Sequence, residues 1–555
     1  MKHARERLRI CALSLACALA YLTACGGPDA SEGMRRLVDV WIAPPGAGFP
    51  LRFSTIDDVS RLGIPLRTDG PAERFRLRVP LAAKFDALLG VSDPRGSAAD
   101  EPAPVEIEAA ICSPSGANEA EPTLARLSFD AVGWHPIAIE LEDYAGREIE
   151  LCVFATAPDA LELTLADGRI GTPGARIWPT ERPNLVLLVQ RKAPGSIGDH
   201  ASRDALAAEG ERYSNAITNS VGAQSTHASL LTGKHPRELM LSDRAGGAFH
   251  LGDGELTLAE RLHAVGYQTG AFVSSPALDL GSGLAQGFTI HVDRVDEGPA
   301  AGESDGDLTN LALHWLDEAD RPFFVLLSEA ASDTTPDSDA RLRRLLAGLE
   351  ARGAYDESMI AVVSIAPISP KGSEGDADAG PLAGPLRPSP DLEAEIIVKL
   401  PRMDDRFPRG KTFAHRVDLL DLHASMLREL GLAAGPEGPT ETRSAMRARG
   451  IPAHGLRRQR RVHFSEFIGA VESAQAVRDG EPQGNVEAVY RGHFLLLRTD
   501  RGEIELIDLE AAGDERTDAS EIDPRVAPGL EAELDDWSEG SPPVWESAED
   551  SQSSR

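Results

Sequence analysis

Ser225, Thr226 and His227 stand side by side in the segment from Asn215 to Pro236, N-A-I-T-N-S-V-G-A-Q-S-T-H-A-S-L-L-T-G-K-H-P. Two hydroxyls and an imidazole are the residue types of nucleophilic and acid–base chemistry. The spacing places them at the start of a helix that follows a turn at Gly222. Backbone N–H groups at such a start have no partner within the helix and attract anions. Arg191 and Lys192 stand upstream, beyond an apolar run that reads as a buried strand. Two readings follow. In the first, these five residues form a metal-free anion site, or Ser225 or Thr226 attacks while the two cations stabilise developing charge. In the second, Ser225 and Thr226 cap the helix, the cations point outward or pair with carboxylates, and His227 packs with a satisfied ring nitrogen.

The same segment resembles the active-site segment of the sulfatase family, within the alkaline-phosphatase superfamily. The pattern there is (Cys/Ser/Thr)-x-Pro-Ser-(His/Arg)-x-S-L-L-T-G, and His227 through Gly233 match it in register. Further blocks are similar in order and spacing: R-P-N-L-V-L-L-V from Arg182, T-L-A-E-R-L-H-A-V-G-Y from Thr257, L-A-Q-G-F from Leu284, A-E-I-I-V-K-L-P from Ala394, V-D-L-L-D-L-H-A-S-M-L from Val417, Y-R-G-H-F-L-L-L from Tyr490 and E-L-I-D-L-E from Glu505. The resemblance covers residues 181–515. It implies a metal-assisted ester hydrolase, in which calcium or another divalent cation is held by carboxylates and a modified Cys or Ser attacks.

The residues at the implied positions depart from that chemistry. The nucleophile position is Ala223, and a methyl group cannot attack an ester. The first pair of metal positions is Arg191 and Lys192, and the second is Ala366 and Pro367. Hard cations want oxygen ligands, and cationic side chains cannot supply them. The run from Ser328 to Asp333, where the family usually has histidines, has none. The expectation is a chain with the family's fold, without its reaction and without a cofactor. His415 and His423 are read as surface or core residues of a helix in the later block.

The first residues bear on location. Lys2, Arg5, Arg7 and Arg9 precede an apolar run from Ile10 to Ala20, and Leu22-Thr23-Ala24-Cys25 looks like a bacterial lipoprotein cleavage box. The run is short for a membrane span, which favours a signal peptide. Cys25 would carry acyl chains and anchor the chain in the cell envelope, periplasmic or surface-facing. The formal net charge of −32 repels nucleic acid. An exported compartment permits a Cys112–Cys152 disulfide, with two buried free thiols as the equal alternative. The expected partners are the membrane, through Cys25, and a sulfated or phosphorylated ligand.

These residues must be positioned by larger elements. Residues 1–24 read as signal peptide and 25–36 as tether. Residues 37–180 show short period-two runs such as Phe75–Val79, Val105–Cys112 and Ile149–Phe154, the pattern of an antiparallel β-sandwich. A sugar-binding role and a plain spacer role are both open for it, with Trp134 as core rather than platform. From residue 181 apolar strands alternate with helical stretches, which implies a parallel α/β core covered on both faces over 181–435. Residues 436–537 read as a C-terminal subdomain with a small sheet, and 538–555 as a disordered acidic tail.

Overall fold

The computed structural model describes residues 35–36, 51–56, 59–68, 71–80, 83–94, 104–112, 123–158, 161–171, 182–191, 200–220, 222–239, 241–244, 248–293, 308–319, 322–329, 338–365, 393–401, 409–430, 432, 462–467, 486–499, 502, 504–509 and 525–540. The signal peptide, Cys25, Lys192, Ala366, Pro367 and residues 541–555 lie outside these. The chain divides into two compact units, residues 1–57 with 61–179, and residues 58–60 with 180–555.

Among its described residues the first unit is built of β-strands, with one 3-10 turn at Glu142–Tyr144. Its strands are β1 (Arg35–Arg36), β2 (Arg52–Ile56), β3 (Val59–Leu66), β4 (Glu73–Arg78), β5 (Lys84–Ser92), β6 (Val105–Ile111), β7 (Thr123–Phe129), β8 (Gly133–Glu140), β9 (Glu148–Thr156) and β10 (Glu162–Gly171). One sheet runs β3-β10-β5-β8 with β1 and β2 at its side, and the other runs β4-β9-β6-β7. Alternate residues of each strand point inward, so Phe75 and Leu77 meet Phe85, Leu89, Ile107, Ile139 and Leu151 in one core. Cys112 and Cys152 form a disulfide with 5.9 Å between their Cα atoms, which resolves the two alternatives left by the sequence. Trp134 lies against the backbone of Gly90, where an added Cβ would come within 2.5 Å of its ring. Arg61 lies over the same indole at 5.6 Å, and an ion pair joins it to Asp167. Trp134 is half-buried and lies on the face of β8 opposite to the core residues Ile137 and Ile139, so it is not the core residue the sequence suggests.

The second unit is built on strands β11 (Asn184–Arg191), β12 (Glu211–Ile217), a β13–β14 hairpin (Leu241–Arg244, Ala248–Leu251), β15 (Gln268–Val273), β16 (Ile290–Asp293), β17 (Phe323–Glu329), β18 (Ser358–Ile365), β19 (Glu393–Lys399), β20 (Lys411–Phe413) and β21 (Val417–Asp418). Between them lie helices α1 (Ala201–Glu209), α2 (Ala223–Thr232), α3 (Leu258–Ala264), α4 (Leu308–Glu318), α5 (Ser338–Ala351) and α6 (Leu419–Glu429). β18, β11, β17, β15 and β16 are neighbours in that order and run parallel. The sheet is mixed rather than parallel throughout, because β19 runs antiparallel to both β18 and β12. Apolar runs do not report strand direction, so the sequence pattern could not show this.

Both faces of the central strands are buried. Leu185, Leu187 and Val189 of β11 pack with residues of α2, α3 and α6, while Val186 and Leu188 pack with α1, α4 and α5. All eight residues of β18 are buried. Each such aliphatic side chain contributes roughly 1.5–3 kcal/mol on burial. α3 is shorter than the run from Glu255 to Tyr267 suggests. It starts after a capping box of Thr257 and Glu260 and is followed at Gly266 by a positive φ of 94°.

The C-terminal sheet has the order β22 (Val462–Phe467), β23 (Val486–Arg491), β24 (Phe494–Thr499) and β25 (Ile504–Asp508). A helix α7 (Val526–Gly540) packs Leu530 and Leu534 on Val489, Leu496 and Leu506. The sequence reading did not foresee this helix, and it extends past residue 537, so residues 538–540 are helical rather than part of a disordered tail.

Candidate functional site

β12 leads into a buried turn, Thr218-Asn219-Ser220, and then into α2. The turn is fastened from the C-terminal sheet. Ser465 Oγ donates to the Thr218 carbonyl at 2.6 Å, and Asn219 Nδ2 donates to the Phe464 carbonyl at 3.2 Å. Gly222 is the N-cap of α2 in an extended conformation, with no side-chain cap, and Ala223 is the first helical residue. The structure thus places Ala223, Ser225, Thr226 and His227 in the first turns of one helix.

The hydroxyls of this turn point back to the preceding loop. Ser225 Oγ lies 2.8 Å from Ser220 Oγ and 3.3 Å from the Gly222 carbonyl. Thr226 Oγ1 donates to the Ser220 carbonyl at 2.9 Å. Both residues are buried, with 2 % and 0 % of their surface exposed. They brace the turn that enters the helix, while Gly222 holds the cap position itself. His227 is buried too, and its Nδ1 donates to the Ala223 carbonyl one turn back, at 2.6 Å.

The far end of α2 is set by Gly233, with φ 73°. Its N–H donates to the Ser229 carbonyl, a left-handed helix end that favours glycine. The His423 ring of α6 packs there, and its Nδ1 donates to the Leu230 carbonyl at 2.9 Å. Burial lowers the His423 pKa to about 4, against a smaller opposing effect of that hydrogen bond. His423 is therefore a neutral core residue. His415 is exposed, lies before β21 rather than in a helix, and meets Tyr213 edge-on at 5.7 Å.

Position 191 ends β11 and pairs with Ile365, which ends the parallel neighbour β18. The two pairs of positions that the resemblance assigns to a metal therefore begin at adjacent strand ends. The Arg191 side chain, Lys192, Ala366 and Pro367 lie outside the described residues. As a donor set, a guanidinium, an ammonium, a methyl group and a proline ring do not fit a hard divalent cation.

Two buried polar groupings went unseen in the sequence. Asp339 of α5 accepts the backbone N–H groups of Ser202 and Arg203 at 3.1 and 3.2 Å. It thereby caps α1, whose own N-cap His200 contributes no side-chain bond. Arg203 in turn reaches Gln190 of β11 and Ser338 of α5. The second grouping is Asp418, Asp421 and His463, whose ligand atoms lie within 4.8 Å of one another. Asp418 and Asp421 cap each other's N–H groups at the start of α6, at 2.9 and 3.3 Å, and His463 Nδ1 donates to Asp418 at 2.9 Å. A D-x-x-D spacing before an apolar run was the available signal for this cap. Partner residues distant in sequence gave no such signal.

No protein-family model and no curated protein matches the sequence. Solved structures do match in shape. A candidate sulfatase from Bacteroides thetaiotaomicron is 14 % identical, with 66 % of this chain and 94 % of that chain covered and a TM-score of 0.49. A phosphonate monoester hydrolase of Agrobacterium radiobacter is 16 % identical, over 64 % and 95 % of the two chains, with a TM-score of 0.45. A structure solved with its substrate D-glucosamine-2-N,6-O-disulfate is 13 % identical, over 65 % and 99 %, with a TM-score of 0.48. The chain is thus similar in fold to solved structures of a sulfatase and of a phosphonate monoester hydrolase.

Proposed function

We propose that this chain is a non-catalytic binding or scaffolding protein of the bacterial cell envelope, built on a sulfatase-like fold and anchored through lipid on Cys25. One observation carries the reading. The residue at the first position of α2, where the family resemblance implies the nucleophile, is Ala223. The cationic, alanine and proline residues at 191, 192, 366 and 367 support it.

An active ester hydrolase or transferase that uses Ser225 or Thr226 is the competing reading. The burial of both hydroxyls and their bonds to Ser220 weigh against it. If a ligand occupies the start of α2, the positive end of the helix dipole suits a sulfated or phosphorylated one.

The test is an assay of the purified protein on aryl sulfate and aryl phosphate with calcium, magnesium, manganese and zinc. The expected result is no turnover. A rate within about a thousandfold of ordinary enzymes would overturn the proposal. A thermal-shift screen with sulfated and phosphorylated sugars then looks for the ligand, since a compound that binds only the folded state raises its melting temperature.

A further inference from the structure

We propose that the second unit binds a small oxyanion, sulfate or phosphate or the same group on an ester, in the polar layer around Arg203. Arg203 and Arg237 are both 3 % exposed. Arg237 has a carboxylate partner in Glu487. Arg203 has none within ion-pair distance among the described residues. Its Nη2 donates to two neutral oxygens, Gln190 Oε1 at 3.3 Å and Ser338 Oγ at 2.9 Å. Its buried Nε–H has no acceptor. A cation taken out of water without a counter-charge is strongly destabilising, and a bound anion removes that cost.

The surroundings add positive potential and a second donor. Ser338 opens α5, and Arg203 lies in the first turn of α1. The guanidinium therefore sits where the positive ends of two helix dipoles meet. The nearby carboxylates are engaged elsewhere. Asp339 accepts the backbone N–H groups of Ser202 and Arg203, and Glu395 pairs with Arg212. Ser364 of β18 is the register partner of Gln190 and of Glu395. It is 1 % exposed, and its Oγ has no hydrogen-bond partner. Adjacent strands lie about 4.8 Å apart, which puts this hydroxyl beside the Gln190 amide that Arg203 touches. A buried cation and two donors without acceptors suit a tetrahedral oxyanion, which takes several charge-assisted hydrogen bonds at once. A water molecule would accept a bond and leave the charge unmet. This layer is separate from the start of α2. By strand alternation Gln190 shares the face of β11 on which Val186 and Leu188 pack with α1, α4 and α5, whereas α2 covers the face of Leu185, Leu187 and Val189.

The test compares melting curves of the full chain in sodium sulfate, sodium phosphate and sodium chloride at equal ionic strength, for wild type, Arg203→Met and Arg191→Ala. Sulfate also stabilises folded proteins by exclusion from their surface, so the difference between variants carries the result. At about ten times its Kd, sulfate should raise the melting temperature of wild type and of Arg191→Ala by roughly 2–3 °C more than that of Arg203→Met. Calorimetric titration with inorganic sulfate reads the affinity directly. Ser364→Ala keeps the guanidinium and should weaken that affinity about tenfold, so the test stands even if Arg203→Met does not fold. Glucose 6-sulfate and glucose 6-phosphate separate the two sources of the group. Stabilisation by the esters supports the site and identifies an esterified ligand; stabilisation by the inorganic ions alone supports it and identifies a free ion. No sulfate or phosphate binding to wild type, or an effect of equal size in Arg203→Met, overturns the proposal. An effect lost in Arg191→Ala and kept in Arg203→Met also overturns it, and assigns the anion to the start of α2 instead.

Discussion

The ring of His423 lies where a side chain on residue 233 would go. A Cβ built on Gly233 would come 2.5 Å from His423 Cδ2. Gly233 also has φ 73°, so two demands meet at one glycine: a left-handed backbone and room for a buried ring. Gly233→Ala should therefore lower stability by about 2–4 kcal/mol, the sum of left-handed strain and forced repacking. Urea denaturation measures it. A loss below about 1 kcal/mol, the strain part alone, would show that the ring moves aside freely.

Stability should fall as the pH drops from about neutral toward 4. Burial lowers the pKa of His423 to about 4, from an ordinary value of 6.5. Burial lowers that of His291 likewise. Each binds its proton more weakly in the folded state, so its contribution is complete above 6.5 and is lost as the pH falls through the window to 4. For one such group the contribution is on the order of 3 kcal/mol at most. Melting curves from pH 7.5 to 4.5 check this, and His423→Gln should flatten the profile. An unchanged melting temperature across that range would contradict the neutral, buried assignment.

Restoring a hydroxyl at the start of α2 should not restore hydrolysis. Ala223→Ser supplies an attacking oxygen, but residues 191, 192, 366 and 367 still offer no carboxylate to a cation. The variant should fold and show less than about a tenfold gain over background on aryl sulfate with added divalent metal, a barrier change under 1.4 kcal/mol. A larger, metal-dependent gain would mean that ligands come from elsewhere in the fold.

Metal removal should leave the protein unaffected. Clustered carboxylates repel each other and need a cation, and the implied metal positions hold none. Melting curves with EDTA, calcium and sulfate in parallel should show no change with EDTA or calcium and a modest rise with sulfate. A drop of several degrees with EDTA that calcium reverses would place a structural metal in the fold and reopen the enzyme reading.

Much of this architecture is legible in the residues themselves. The period-two runs mark the sandwich, because alternation along a strand follows directly from which face is buried. The all-apolar runs at Leu185, Phe323 and Met359 mark strands covered on both sides. The order of the short blocks marks the kind of α/β domain, and Ala223 can be read at once as a residue without a reactive group.

Other features required the folded chain. The antiparallel insertion of β19 follows from loop paths, which local pattern does not encode. The pairing of Cys112 with Cys152 required β6 and β9 to be neighbours. The sequence placed Ser225 and Thr226 at the start of a helix, but only packing decided that their hydroxyls would turn back to Ser220. Asp339 became the cap of α1, and His463 the partner of Asp418, across 137 and 45 residues of sequence. Local residue preferences act over a few positions, whereas a buried hydrogen bond depends on which distant backbones come together, and that is decided by the tertiary structure.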